Sequence, residues 1–357
     1  MEEKSVRFPS LNGLRAISIC FVLFHHLSMR DKIFQNIGEH KFAQLFIKFI
    51  TDGQLGVNIF FVISGFLITS LLLIEENRNG AISIKDFYIR RTLRIFPAYY
   101  FFLFVLFVLQ LVHIVQIGCA SWFTALTYTK YFNWGADWFT AHAWSLSIEE
   151  QFYLFWPLLF AVGDKTRKNT AFFLVLIVPI IKLYLYFHPV IWINDLTLFK
   201  RIDAIAIGCL IALYKNLLLE RLRPYFKVIF YVSLLGICFL ICLPAINDKL
   251  HLHLGLLIIL FGSTFGTIAN IFIGAILLYS VWGNRGLWFR LLNTQILNYI
   301  GMLSYSIYLW QQLFISDLGY WANSFPQNVI CIFMVAVFSY YCIEQPFLKL
   351  KTKFQKT

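Results

Sequence analysis

Apolar stretches long enough to cross a bilayer recur along the chain near 11–29, 55–74, 95–117, 145–163, 170–187, 198–216, 225–243, 254–282, 296–315 and 326–346. They predict an all-α polytopic membrane protein, with about ten transmembrane helices around a polar intramembrane cavity. The fourth run is the weakest, because it opens on Ser147, Glu149, Glu150 and Gln151. The eighth is overlong and contains Gly255, Gly262, Gly266 and Gly274, so it can tilt, kink or divide in two. The segments between runs are short. Even the longest, 30–54 and 118–144, hold no conventional catalytic domain, although they suffice for amphipathic or re-entrant caps. No internal repeat is evident, which weakens a transporter built from duplicated halves. The expected organisation is one membrane-embedded domain over 8–346 and a short basic cytoplasmic tail over 347–357.

Composition agrees with this class. The chain is 59% hydrophobic and 13% charged, about half the charged fraction of ordinary soluble domains. Its net charge of +12 does not point to nucleic acid, because the basic residues are scattered between apolar runs and form no single stripe. They instead define an orientation. With ten spans both termini share one side, and the segments on that side hold 20 Lys and Arg, counting Lys215 at the end of span six. The opposing segments hold six: Arg30, Lys32, Lys41, Lys48, Lys130 and Lys249. This bias predicts cytoplasmic N- and C-termini. The N-terminus lacks a basic leader and a small-residue cleavage site, so the first span is expected to stay in the mature protein. Six of the seven cysteines lie in apolar runs without ligand spacing and read as packed hydrophobes. His40, His113, His142, His188, His251 and His253 form no evident cluster, and no metal is expected.

Ionisable residues inside the spans carry the chemical signal, because they are costly in hydrocarbon unless they pair or line a polar cavity. On the first predicted helix, His26 lies about 20° around from Arg15 and His25 about 80° to the other side. The rise from Arg15 to His26 is roughly 16 Å, which sets Arg15 near the cytoplasmic end and His26 deeper. A neutral imidazole can take a proton from a hydroxyl nucleophile; an interhelical hydrogen bond explains the same residue without chemistry. In Trp144-Ser-Leu-Ser-Ile-Glu-Glu-Gln-Phe-Tyr153, Glu149 falls at a depth similar to His26, so it can orient the imidazole. Tyr153 shares its face at i,i+4. An interfacial helix cap is the plain alternative. Arg90, Arg91 and Arg94 precede span three, with Arg91 and Arg94 at i,i+3, so their guanidiniums can converge on phosphates. Topology signalling and lipid headgroups compete for the same residues. Arg201, at the outer start of span six, can offset a developing anion or pair with Asp203. The glycine-rich stretch from Gly53 into Ser64-Gly65 lacks Lys-Ser/Thr and is no nucleotide loop; Gly65 with Ser64 suits close helix packing.

Several separated blocks resemble one family. They are Leu11-Asn-Gly-Leu-Arg-Ala-Ile through Phe24-His25-His26, Gly56-Val-Asn-Ile-Phe-Phe-Val-Ile-Ser-Gly-Phe-Leu-Ile-Thr69 and Phe87-Tyr-Ile-Arg-Arg-Thr-Leu-Arg-Ile-Phe-Pro97. The Trp144–Tyr153 block follows, then Arg201–Gly208, Leu303-Ser-Tyr-Ser-Ile-Tyr-Leu-Trp310 and Tyr341-Cys-Ile-Glu-Gln-Pro346. In order and spacing they are similar to the acyltransferase-3 family of integral membrane acyltransferases, which includes bacterial polysaccharide O-acetyltransferases. The resemblance implies acetyl-CoA or another acyl-CoA as donor from the cytoplasm, and a glycan or glycolipid acceptor. It also implies a bacterial cytoplasmic membrane location among membrane lipids, near envelope-polysaccharide assembly proteins. By residue count from Arg15, His26 matches the family histidine, with the adjacent His25 as the other catalytic candidate one residue away, and Arg15 matches the family arginine. Arg91 and Arg94 match the basic pair of donor use, and Glu149 the acid of the WSLxxE block. Two positions depart: Asn12 stands where many relatives have Asp, and Gln311 where many have His. Some relatives carry an appended extracytoplasmic domain, which is not expected here. The activity implied is acyl transfer, most readily of acetyl, to a sugar hydroxyl with His26 as general base. The competing readings are succinyl or longer acyl transfer, and a flippase or exporter of lipid-linked sugars without chemistry.

Overall fold

The computed structural model describes residues 8–30, 41–132, 137–188, 197–250, 266–351 and 354, and over these the fold is helical. The principal helices are α1 (Leu11–Arg30), α2 (Lys41–Ile50), α3 (Gly53–Asn79), α4 (Ile84–Leu111), α5 (Cys119–Leu126), α6 (Trp138–Ala141), α7 (Ala143–Phe155) and α8 (Leu158–Val162). They continue with α9 (Asp164–Phe187), α10 (Thr197–Leu213), α11 (Lys215–Leu222), α12 (Phe226–Leu250), α13 (Thr267–Trp282), α14 (Leu287–Leu292) and α15 (Gln295–Phe314). The last are α16 (Gln327–Phe338) and α17 (Gln345–Lys351), joined by a π-helical turn over Ser339–Glu344. Among the described residues, six helices are long and apolar enough to cross a membrane: Leu11–Arg30, Phe46–Asn79, Ile84–Leu111, Asp164–Leu185, Lys215–Pro244 and Gln327–Lys351. The shorter α7, α10, α13 and α15 occupy four further predicted spans. His40, Trp192, His251, His253 and the first part of the eighth predicted span lie outside the described residues.

Two boundaries differ from the sequence reading, each for a local reason. The fourth predicted span is divided, because α7 ends at Phe155 and Trp156-Pro157 separates it from α8. The helix of span three begins at Ile84, three turns earlier than predicted. Ser83 caps it by accepting the Asp86 main-chain N–H at 3.3 Å, and Asp86 adds the favourable first-turn charge. Arg90, Arg91 and Arg94 therefore project from a rigid helix and not from a loop.

At the centre, α3 packs along α10 while α1 packs against both α3 and α15. Glycines set how closely these helices approach. A Cβ at Gly65 would sit 1.9 Å from the Ile205 carbonyl oxygen, and one at Gly208 would sit 2.1 Å from that of Val62. The backbones of α3 and α10 thus touch where small residues permit it. Replacing Gly65 with leucine forces these helices apart, with an expected loss of about 3 kcal/mol. The check is a lowered thermal unfolding midpoint in detergent; an unchanged midpoint would show the crossing to be dispensable. A second close crossing seats α1, where a Cβ at Gly301 would lie 1.9 Å from the Asn12 carbonyl oxygen. Asn293 holds the same end, accepting the Ser10 N–H at 3.1 Å and donating to the Ser10 hydroxyl at 2.9 Å. The start of α1, which bears Arg15, is fixed by these contacts.

Candidate active site

Two adjoining cavities lie among α1, α3, α4 and α15. The larger, about 980 Å³, is a vestibule at the ends of these helices. Six cationic residues line it, Arg15, Arg78, Arg90, Arg91, Arg94 and Lys351, with one carboxylate, Glu75. The smaller, about 300 Å³, is a chamber deeper among the helices, and Glu149, Tyr153, Ser64, Ser145, Tyr308 and Glu344 are on its wall. Arg15, Arg91 and Arg94 line both cavities, together with Asn12, Leu67 and Met302. A neck of three arginines shared by both linings therefore joins an anion-attracting mouth to a smaller chamber.

The sequence pattern accounts for the neck. Arg91 and Arg94, one turn apart on α4, reach the same space, and Arg15 enters it from the start of α1. Arg91 lies over the Tyr153 ring with its guanidinium carbon 5.4 Å from the centroid. Arg90 takes a different course: it pairs with Glu75 at 2.5 Å and donates to the Phe354 carbonyl oxygen at 3.0 Å. Glu75 also accepts the Ser83 N–H at 2.9 Å, so this pair ties α3 to the cap of α4. Glu149 accepts from the Ser64 hydroxyl at 2.6 Å, and Glu344 accepts from the Ser306 hydroxyl. Ser64 thus serves the chamber as well as the glycine crossing beside it.

His26 stands apart from both cavities, in a polar cluster beyond Ser145 and Tyr308. Its Nδ1 is 3.2 Å from Gln311 Oε1, and its Nε2 is 3.5 Å from Gln312 Nε2. Gln311 donates from Nε2 to the Tyr308 carbonyl oxygen at 3.3 Å. Gln312 Oε1 accepts the His142 main-chain N–H at 3.2 Å and also bonds His142 Nδ1. The Tyr308 hydroxyl donates to the His142 carbonyl oxygen at 2.8 Å, and Ser145 bonds that hydroxyl at 2.5 Å. One continuous network therefore runs from the chamber wall to the imidazole.

The expected contact between Glu149 and His26 is not made: each is satisfied by other partners, Ser64 and the two glutamines respectively. Similar depth along two helices does not bring two side chains to one point, because azimuth matters as much as depth. The histidine pair also divides. His25 Nδ1 is 2.9 Å from the Thr51 carbonyl oxygen and packs where Gly53 leaves room; a Cβ at Gly53 would lie 2.6 Å from its ring.

Trp138 closes the outer side of His26, with ring centroids 5.8 Å apart in an edge arrangement. Its indole N–H donates to the Gln312 carbonyl oxygen at 2.8 Å. Asp137 caps α6 by accepting the Thr140 N–H at 2.7 Å, and a buried Lys130 pairs with it at 2.7 Å. Burial disfavours the Asp137 carboxylate, but the bonds from Lys130 and Thr140 outweigh it and hold its pKa below the usual range. That clamp fixes Trp138 beside His26.

Arg201 lies off both cavities. Its guanidinium carbon is 5.0 Å from the Trp144 ring centroid, and Nη1 donates to Asn58 Oδ1 at 3.4 Å. The fully buried Asp203 accepts from Thr267 at 2.6 Å and Asn270 at 3.1 Å, with Lys182 Nζ at 3.8 Å. These residues join α9, α10 and α13. Among the described residues no group of three or more His, Cys, Asp or Glu is arranged to hold a metal ion.

Sequence reasoning missed Gln312 and undervalued Gln311. The available signal was two adjacent amides in an apolar run, which must be satisfied inside the protein.

Comparison with known proteins is consistent with this architecture. A protein of Staphylococcus aureus strain COL named "Putative O-acetyltransferase" is 30% identical over 385 residues, covering 97% of this chain and 58% of that protein. "Putative peptidoglycan O-acetyltransferase YrhL" of Bacillus subtilis is 28% identical over 378 residues, covering 95% of this chain and 54% of its own length. O-acetyltransferase OatA of S. aureus strain NCTC 8325 is 28% identical over 373 residues, covering 96% and 57%. The chain thus spans little more than half the length of these relatives. No solved structure matches it. The family model described as an acyltransferase domain matches residues 8–344, and with its membrane-spanning helices the chain belongs to that family, acyltransferase-3.

Proposed function

We propose that the chain is a membrane O-acyltransferase that moves an acetyl group from acetyl-CoA to a hydroxyl of a lipid-linked or cell-surface sugar. The observation that carries this reading is the three-arginine neck shared by a cationic vestibule and a smaller polar chamber. A flippase needs a passage for its cargo but has no need of a polyanion-binding mouth lined by six cationic residues.

In this reading the donor enters from the cytoplasm, with Arg91 and Arg94 gripping its phosphates and Arg15 behind them. Arg90 contributes field more than contact, since Glu75 already occupies it. Arg15 belongs with the phosphates and not with the reacting carbonyl, because about 16 Å of helix separates it from His26. The long pantetheine arm spans that interval through the chamber. Glu149, Tyr153 and Glu344 temper the positive charge along the way. His26 lines neither cavity, so the thioester must reach past the wall formed by Ser145 and Tyr308; there His26 removes the proton of the sugar hydroxyl as its oxygen attacks the thioester carbonyl. As the tetrahedral intermediate collapses, the carbon–sulfur bond breaks and the imidazolium returns the proton to the CoA thiolate. His25 supports the neighbouring turn through Thr51 and takes no part in proton transfer.

Peptidoglycan sugars are the first acceptors to try, because one relative's name refers to them. The test uses purified protein in sealed vesicles carrying envelope glycolipids, given acetyl-CoA, succinyl-CoA or no donor. The expected result is a new ester that requires acyl-CoA and is formed best with acetyl-CoA. Glycolipid movement across the bilayer without donor, and without a new ester, would establish the flippase reading instead.

A further inference from the structure

The hydrogen-bond network around His26 fixes more than its position. A main-chain N–H can only donate, so the bond from the His142 N–H identifies the Gln312 atom facing it as the carbonyl oxygen. The Gln312 amide nitrogen must then be the atom facing His26, 3.5 Å from Nε2. An amide nitrogen can only donate, so Nε2 of His26 is an acceptor without a proton. The proton of the neutral ring is left on Nδ1, where Gln311 Oε1 receives it at 3.2 Å. Gln311 is consistent at its other end, since its nitrogen donates to the Tyr308 carbonyl oxygen.

We propose that Gln312 is a positioning residue: anchored by the main chain of His142, it selects the Nδ1–H tautomer of His26 and keeps the Nε2 lone pair available as the base. The mechanistic half of this inference rests on His26 being the general base; the tautomer itself does not. Gln311, accepting from Nδ1–H, stands where the carboxylate of a Ser-His-Asp triad does, and Gln312 enforces the same tautomer from the reactive nitrogen. Because the bond to Nε2 is long, an incoming hydroxyl displaces it at small cost. The conformer remains set by Gln311 on the opposite edge and by Trp138 on the ring. The main chain of Gln312 is in turn held by the Trp138 indole N–H.

The test is nuclear magnetic resonance on the full chain in lipid, with isotope-labelled histidine and the His26→Gln protein used to assign the His26 signals. Wild-type protein is expected to show neutral His26 protonated on Nδ1 and bare on Nε2. In Gln312→Glu both side-chain oxygens accept, so Nε2 is expected to become protonated. Gln312→Leu removes the donor and is expected to weaken the preference, leaving Gln311 alone to hold the Nδ1 proton. Transfer by Gln312→Glu is expected to fall about 100-fold in kcat, with KM for acetyl-CoA changed less than about twofold. A wild-type spectrum with Nε2 protonated, or one unmoved by Gln312→Glu, overturns the proposal without reference to activity. Full transfer by His26→Gln beside the expected spectra overturns the base assignment and leaves the tautomer selection standing.

Discussion

His26→Ala protein is expected to lose acyl transfer by about 10²–10⁴-fold while remaining at near wild-type abundance in the membrane. The size of the effect follows from the role: among the described residues no other imidazole is in position to replace it. His25 is held by Thr51 on the far side of the helix turn, and the Nδ1 of His142 is occupied by Gln312. The variant also leaves Gln311 and Gln312 each short of a partner, at a cost of about 1–3 kcal/mol per buried group. His26→Gln is therefore the matched control, because it can return a hydrogen bond but cannot accept a proton at neutral pH. Thermal unfolding of both proteins in detergent separates lost chemistry from lost fold. Transfer at the wild-type rate by either protein would remove His26 from the mechanism.

The second large effect is expected at the neck. Changing Arg91 and Arg94 together to glutamine should raise KM for acetyl-CoA by about 100-fold or more, since a charged hydrogen bond contributes about 1.5–3 kcal/mol and two are removed. The turnover number should fall far less, because the reacting carbonyl lies at the other end of the pantetheine arm. Arg90→Gln should behave differently. Its guanidinium is paired with Glu75, so the change loosens the α3–α4 corner and lowers stability more than it raises KM. Initial-rate kinetics over a range of acetyl-CoA concentrations distinguish these patterns. An unchanged KM in the Arg91/Arg94 double variant would mean that donor phosphates bind elsewhere.

Much of this architecture is legible in the one-dimensional sequence because hydrocarbon imposes a simple rule on it. Long apolar runs mark helices, and polar residues within them must meet something. That rule located Arg15, Glu149 and Tyr153, the i,i+3 spacing ahead of span three paired Arg91 with Arg94, and the structure gathers all five around one chamber. It also placed His25 and His26 on different faces, and they enter different hydrogen-bond systems. Partnership between helices was beyond it. A helical wheel gives the direction of His26 from its own axis, but not that α15, 285 residues away, faces it with Gln311. Gln311 looked like a weakened substitution when judged by its own acid–base capacity. In the structure it lies within hydrogen-bond reach of His26 Nδ1, a contact for which an amide suffices. Glu149 was matched to His26 by depth alone, whereas a serine on α3 lies closer around the bundle. The early start of α4 was readable from Ser83 and Asp86, but the charged Lys85, Arg90, Arg91 and Arg94 obscured it in a hydropathy pattern.

The central claim is that the polar interior performs chemistry, joining an acyl group carried by CoA to a sugar hydroxyl. Its most direct test is incubation of the purified protein in lipid with isotope-labelled acetyl-CoA and envelope glycolipids, followed by mass spectrometry of the glycolipid fraction. The account predicts a labelled acetyl ester on a sugar hydroxyl, formed by wild-type protein and absent with His26→Ala. Equal labelling by the two proteins, or glycolipid carried across the bilayer with no ester formed, would contradict it.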